Sequence, residues 1–113
     1  MYKRPAWGSG RKKDAVVPTY VVLTNWTDQG IRNVRDTVQR NEGSQELQDK
    51  HGVSLQQTYW TVGPYDIVFI AEAADEESIS AFFLEIASAG YLKTITLRAY
   101  NREEMSGILE RLG

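Results

Sequence analysis

The fold of this chain is decided between residues 57 and 73, where the sequence reads QTYWTVGPYDIVFIAEA. Two runs within this stretch, residues 57–63 and 66–73, alternate along the chain and are rich in β-branched and aromatic residues. Turn-forming residues separate the two runs. This pattern predicts a β-hairpin with Pro64 and Tyr65 at the centre of its turn.

The predicted turn also sets the register of the hairpin, because it places Gly63 opposite Asp66. The cross-strand pairs that follow are Val62 with Ile67, Thr61 with Val68, Trp60 with Phe69, Tyr59 with Ile70 and Gln57 with Glu72. Successive side chains of a strand point to opposite sides of a sheet. We therefore expect helices to cover the face that carries Trp60, Val62, Ile67, Phe69 and Ala71.

Two further strands and a helix are predicted from alternation and capping residues. Strands are predicted at residues 19–26 and 92–100. A helix follows the first of them, with Thr27 or Asp28 as the N-cap and Gly52 as a left-handed cap at its end. The same helix is expected to kink or restart near Gly43 and Ser44.

Two more helices are predicted after the hairpin. Asp75 caps the first of these, Gly90 ends it, and its buried stripe is formed by Ile79, Phe82, Phe83 and Ile86. Asn101 opens the second, whose apolar residues at helical spacing are Met105, Ile108, Leu109 and Leu112. Such a stripe needs a covering surface, either on its own subunit or on a partner.

The element order β-α-β-β-α-β with short connections favours the ferredoxin-like sandwich, an α+β fold. Its four-stranded antiparallel sheet carries both helices on one face, and we expect the second and fourth strands at its edges. We expect residues 1–18 to be a flexible basic extension, residues 19–100 the ferredoxin-like domain, and residues 101–113 an added C-terminal helix.

Alternation along the four strands divides the sheet into a covered and an open face. On the covered face we expect Val21, Leu23, Trp60, Val62, Ile67, Phe69, Ile95 and Leu97. On the open face we expect Tyr20, Val22, Thr24, Tyr59, Thr61, Val68, Ile70, Glu72, Thr94, Thr96 and Arg98. This second set is too apolar for bare solvent, so it predicts burial against a second subunit, a ligand or the terminal helix.

The charge of the chain is unevenly distributed. Residues 1–18 hold five of the 13 basic residues and one of the 15 acidic ones, so the remainder carries eight basic and fourteen acidic residues. An acidic body argues against a nucleic-acid function for the folded part. The basic extension is typical of a polar tail, with contact to an anionic surface as the alternative, and its Trp7 suits docking on a neighbouring subunit.

Location and metal chemistry follow from what the composition lacks. No apolar run approaches the roughly 18 residues that span a bilayer, and the N-terminus has no apolar signal-peptide core. We therefore expect a cytoplasmic protein without a membrane partner. The chain has no cysteine and one histidine, His51. We expect no cofactor and no metal site within one chain, and His51, next to a helix-ending glycine, is typical of a partner for the helix dipole.

The turn Gly63-Pro64-Tyr65-Asp66 is the first candidate site. Asp66 is a candidate base, and Tyr65 is a candidate acid or ring clamp. Both residue types also build turns, in which an aspartate accepts hydrogen bonds from backbone N–H groups. The sequence leaves both interpretations open.

Arg98 is the second candidate. On the expected open face it lies among Tyr59, Thr61 and Thr96, where a guanidinium surrounded by hydroxyls and an aromatic wall suits a carboxylate or phosphate. The alternatives are an ion pair between Arg98 and Glu72 across a subunit interface, or exposure at a strand end.

Three separated segments closely resemble the GYD domain family of bacteria and archaea. These segments are TYVVLTNWTDQGI at residues 19–31, YWTVGPYDIV at residues 59–68 and KTITLRAY at residues 93–100. The Gly-Tyr-Asp signature of the family corresponds to Gly63, Tyr65 and Asp66. The resemblance implies a ferredoxin-like domain similar to the dimeric α+β barrel proteins, in which two open sheet faces close against each other. It brings no catalytic residues to this chain.

Three functional hypotheses follow. The first is a non-enzymatic homo-oligomeric domain that binds a small anionic or aromatic ligand on the open face, through Tyr59, Thr61, Tyr65, Asp66, Thr96 and Arg98. The second is a cofactor-independent oxygenase or isomerase that uses Tyr59, Asp66 and Arg98. The third is a module for assembly or partner binding that uses Trp7 and residues 101–113.

Overall fold

The computed structural model describes residues 17–113 of the chain. The expectations for Trp7 and for residues 1–16 of the basic extension lie outside the described residues.

A four-stranded antiparallel sheet forms the centre of the described chain. Its strands are β1 (Thr19–Trp26), β2 (Val53–Trp60), β3 (Ile67–Ala73) and β4 (Leu92–Ala99). They lie in the order β2-β3-β1-β4, with every neighbouring pair antiparallel. This is the order of the ferredoxin-like sandwich, so the predicted α+β fold and the predicted edge strands are confirmed.

Helices lie between the strands and cover one face of the sheet, and one more helix follows the last strand. They are α1 (Asp28–Arg32), α2 (Thr37–Glu42), α3 (Gln45–His51), α4 (Glu76–Ser88) and α5 (Arg102–Glu110), with a 3₁₀ turn at Val34–Asp36 between α1 and α2. The predicted first helix is therefore three short helices, and the expected break at Gly43 separates the last two.

Local capping explains where these helices begin and end. The Thr27 hydroxyl accepts a hydrogen bond from the Gly30 N–H at 3.0 Å, and the Asp75 carboxylate accepts one from the Ser78 N–H at 2.8 Å. Gly52 ends α3 with φ at 67°, which a glycine adopts without steric cost. The predicted caps at Thr27, Gly52 and Asp75 are thus confirmed.

The core lies between the sheet and α4. Ile79, Phe82 and Phe83 of α4 are at most 2% exposed. They form one buried cluster with Tyr20, Val22, Val53, Ile67, Phe69, Ala71 and Ala73. Phe82 and Phe83 meet edge to face, with ring centroids 4.8 Å apart, an arrangement that aromatic pairs favour.

The register of the β2–β3 hairpin corrects the predicted one. Trp60 lies opposite Ile67, not Phe69, and the pairing slips at a bulge between Leu55 and Gln57. The turn is longer than two residues because the Thr61 N–H bonds the Asp66 carbonyl at 2.8 Å and closes a loop over residues 61–66. A slip of two residues preserves the face of each side chain, but Val62 falls in this loop and is fully exposed.

The predicted faces of β1 and β4 are wrong. Tyr20, Val22 and Thr24 are 0–1% exposed beneath the helices. Their direct partners on β4 are Arg98, Thr96 and Thr94, and directly paired residues share a face. Val21 and Leu23 therefore lie with Leu97 and Ile95 on the open face. Both faces of β1 are similarly apolar, so hydropathy alone did not distinguish them, whereas pairing with β3 does.

Candidate functional site

The open sheet face is the face of the sheet opposite α4. We use this name for Val21, Leu23, Tyr59, Val68, Ile70, Ile95 and Leu97. Val21 lies between Ile70 and Leu97, and Leu23 lies between Val68 and Ile95. These rungs make an apolar surface that is continuous across the three strands β3, β1 and β4.

Much of this surface is accessible in the single chain. Tyr59, Ile95 and Leu97 are 53%, 50% and 45% exposed. None of the seven side chains is charged. Contiguous apolar surface of this kind is typical of an interaction site, and it is more apolar than the sequence predicted because Ile95 and Leu97 replace Thr96 and Arg98.

The six predicted ligand-binding residues do not come together in one place. Tyr59 lies on the open face of β2, whereas Thr96 and Arg98 lie on β4 and on the helix-covered side. Edge strands β2 and β4 are three strand spacings apart, or roughly 14 Å. The structure brings together Thr61, Tyr65 and Asp66, which form the β2–β3 loop, and the Thr61 hydroxyl donates to the Tyr65 carbonyl at 2.6 Å.

Asp66 fastens this loop to the end of β1. Its carboxylate accepts hydrogen bonds from the Trp26 N–H at 3.0 Å and from the Asn25 side-chain amide at 3.3 Å. The same amide donates to the Pro64 carbonyl at 2.9 Å. The Asp66 carboxylate therefore stabilises the β2–β3 loop against the end of β1.

Arg98 anchors the start of α5 through an ion pair with Glu104. Its Nη2 donates to Glu104 Oε2 at 2.9 Å, and its guanidinium carbon lies 4.6 Å from the Tyr100 ring centroid. Burial acts to raise the pKa of Glu104, but hydrogen bonds from the Asn101 N–H and from Arg98 outweigh it, so the pKa lies below its ordinary value. A reciprocal capping box between Asn101 and Glu104 completes this junction.

The apolar stripe of α5 is exposed. Met105, Leu109 and Leu112 are 44%, 51% and 79% accessible. Helix α5 is thus held at its first turn by polar contacts, while its apolar side is not covered by the described part of the chain.

His51 lies at the end of α3, where its Nε2 is 2.7 Å from Glu85 Oε1 of α4. Lys50 Nζ lies 3.1 Å from the same oxygen. Hydrogen bonds from His51 and then Lys50 lower the pKa of Glu85. Within residues 17–113 no three acidic, histidine or cysteine side chains cluster in a way that suits a metal ion, and no helix there is long and apolar enough to cross a membrane.

A cleft that sequence reasoning missed lies on the other side of the sheet. It has a volume of about 350 Å³ and opens between α2 and α3 on one side and the end of α4 on the other. Its apolar walls are Leu47, Leu55, Ile67, Phe69, Ile86 and Leu92. None of the six predicted residues lines it. The cleft forms because the connection between β1 and β2 folds as three short helices. No single sequence motif predicts this arrangement.

Comparison with known proteins places the chain in a family. The GYD domain family model matches residues 20–109, and the chain belongs to this family. The matched segment contains all of the sheet except Thr19, and nearly all of α5.

Two further proteins are similar to the chain. One is the glutamine synthetase and cystathionine beta-lyase binding protein of Thermus thermophilus, 38% identical over 84 residues that cover 74% of this chain and 88% of that protein. The other is a crystal structure of MtbAldR, with a TM-score of 0.61 and 16% identity. That match covers 86% of this chain and 63% of the other, and it shows likeness of fold.

Proposed function

We propose that this chain is a non-catalytic binding domain that pairs with a second copy of itself through the open sheet face. The observation that carries the proposal is the apolar surface of β1, β3 and β4, where Ile95 and Leu97 are about half exposed. Burial of such surface is favourable by about 25 cal/mol per Å².

The size and chemistry of the face fit a second copy. Four strands of about eight residues span roughly 19 by 26 Å, or about 500 Å², so the strands supply a large part of the about 800 Å² that each partner buries in a stable complex. A two-fold axis brings the same patch of both chains together. The seven uncharged side chains then face each other, while Glu72 and Lys93 lie at opposite ends of the same face.

A protein partner is the second part of the proposal. The Thermus thermophilus relative is named for binding two enzymes, and similarity to it extends over most of both chains. We infer that this chain likewise docks on a cytoplasmic enzyme of metabolism. The surface is supplied by Met105 and Leu109 of α5 together with Leu112 just beyond it, because all three side chains are exposed.

The enzyme hypothesis gains no support from the geometry. Tyr59 lies on the open face, Asp66 is bonded to β1, and Arg98 is paired with α5. None of these three residues lines the cleft.

Sedimentation velocity tests self-association through the open face. We expect the wild-type chain of 12.8 kDa to sediment as a dimer at micromolar concentration, and Leu97→Glu to sediment as a monomer because each interface would bury a carboxylate. Thr96→Glu is the matched control, since Thr96 is exposed on the neighbouring position of β4 but points to the other face. A monomeric wild type, or a dimeric Leu97→Glu, would overturn the proposal.

A further inference from the structure

The cleft on the helix-covered side has the size and lining of a ligand site. Its volume of about 350 Å³ falls within the roughly 300–1,000 Å³ of small-molecule pockets. Buried Ile67 and Phe69 form its floor, and Leu47 and Ile86 stand on opposite walls. Such a lining favours a ligand with an apolar body.

Most of the polar groups around the cleft are already paired. The Thr37 hydroxyl accepts from the Trp60 indole N–H at 3.1 Å, and the Asn41 amide donates to the Thr58 hydroxyl at 3.2 Å. Glu85 at the rim is bonded to Lys50 and His51. Because these groups already bond to one another, they offer few hydrogen bonds to a ligand.

Arg40 is different. Its guanidinium carbon lies 4.4 Å from the Tyr91 ring centroid, and Nη1 donates to the Asn33 carbonyl at 3.0 Å. Nη2 is buried and has no hydrogen-bond partner among the described residues. No carboxylate within residues 17–113 forms an ion pair with Arg40. Arg40 as a whole is half-buried, but a buried N–H donor such as Nη2 is costly when no acceptor reaches it.

We propose that the cleft binds a small monocarboxylate with an aromatic or branched aliphatic body, and that Arg40 holds its carboxylate. The body fills the space between Leu47, Phe69 and Ile86. A small rotation of the guanidinium turns Nη2 towards the cleft, so that the carboxylate supplies the missing acceptor. Tyr91 keeps the charge in place, as an aromatic face beneath a guanidinium does. This site is separate from the open sheet face and does not depend on self-association.

A pair of matched probes tests the charge requirement in the wild-type chain. 3-Phenylpropanoate and 3-phenylpropan-1-ol share the same body, and only the first carries a carboxylate. In ¹H–¹⁵N NMR titrations we expect the acid to shift signals of residues around the cleft. We expect the alcohol to bind at least about tenfold more weakly, because hydrogen bonds to a charged group are the stronger ones.

Two variants and a control assign the site. Arg40→Gln should lose at least about tenfold in affinity for the acid, whereas Arg35→Gln, which changes an exposed arginine outside the cleft, should not. Ala89→Phe should weaken both probes by filling the cleft from the end of α4 while leaving Arg40 intact. It keeps the test informative if Arg40→Gln fails to fold.

Three results would overturn the proposal. Equal affinity for acid and alcohol would remove the role of the cation, and unchanged binding by Arg40→Gln would remove Arg40. Signal shifts confined to the open sheet face, or no saturable binding of the acid at millimolar concentration, would remove the cleft as the site.

Discussion

The two faces of the same sheet differ less in composition than in what covers them. On the covered face Tyr20, Val22 and Thr24 are 0–1% exposed, although two of the three carry a hydroxyl. On the open face Ile95 and Leu97 are about half exposed, although both are purely aliphatic. On β4, therefore, the aliphatic side chains lie on the face opposite α4.

This difference is informative because packing among residues 17–113 does not explain it. A strand with one solvated face normally turns its polar side chains outwards. Strand β4 does the reverse, with Thr94, Thr96 and Arg98 on the helix side. An apolar outer face is expected where a second surface completes the burial, as at an obligate interface.

The largest expected effect is the loss of stability when a buried side chain under the covered face is truncated, compared with an exposed one on the same helix. Phe82 is fully buried in α4, so Phe82→Ala should destabilise the fold by roughly 3–5 kcal/mol, through lost burial and the cavity that remains. Urea unfolding followed by far-UV circular dichroism measures this change. Leu84→Ala is the control on the same helix, because Leu84 is 70% exposed. An equal loss for both variants would show that α4 is not packed as described.

The features of this fold that the sequence predicts correctly are those set by residues close together in the chain. The bounds of β1 and the caps at Thr27 and Asp75 follow from residues close to one another in the chain. Gly52 likewise marks the end of α3 by its own conformational freedom. Such features depend on short-range chemistry, which a single sequence contains.

Faces and sites depend on contacts between distant segments. On β1 the set with Val21 and Leu23 is about as apolar as the set with Tyr20 and Val22, so alternation allowed either assignment. The wrong assignment for β1 and β4 placed Arg98 on the open face beside Tyr59. In the structure the two residues lie on opposite faces, and strands β3 and β1 separate them. The cleft at Arg40 is lined by six elements, α2, α3, β2, β3, α4 and β4, and no pattern in the sequence predicts how elements so far apart in the chain come together.

The second prediction concerns the other uncovered surface, the stripe of α5. Leu109→Glu should weaken binding to a partner enzyme by at least about tenfold, since an apolar anchor at an interface centre contributes 1–2 kcal/mol or more. Biolayer interferometry with purified glutamine synthetase and purified cystathionine beta-lyase measures it.

A matched variant controls for the added charge on α5. Gly107→Glu introduces the same side chain off the stripe, where an added Cβ meets open space. We expect it to bind like the wild type. If Leu109→Glu also binds like the wild type, α5 is not the docking surface, and if neither enzyme binds the wild-type chain, the choice of partner is wrong.

The smallest expected effect is a pH dependence at the helix pair that roofs the covered face. Hydrogen bonds from His51 and Lys50 hold the pKa of Glu85 below its ordinary value of 4.5. The stabilisation is therefore present above about pH 4.5 and is lost as pH falls through the lower pKa of the folded state. Glu85→Gln should reduce stability at pH 6, and the difference from wild type should shrink towards pH 3. Glu46→Gln, an exposed change on α3, should show no such trend in urea unfolding, and a pH-independent difference for Glu85→Gln would mean that packing rather than charge joins α3 to α4.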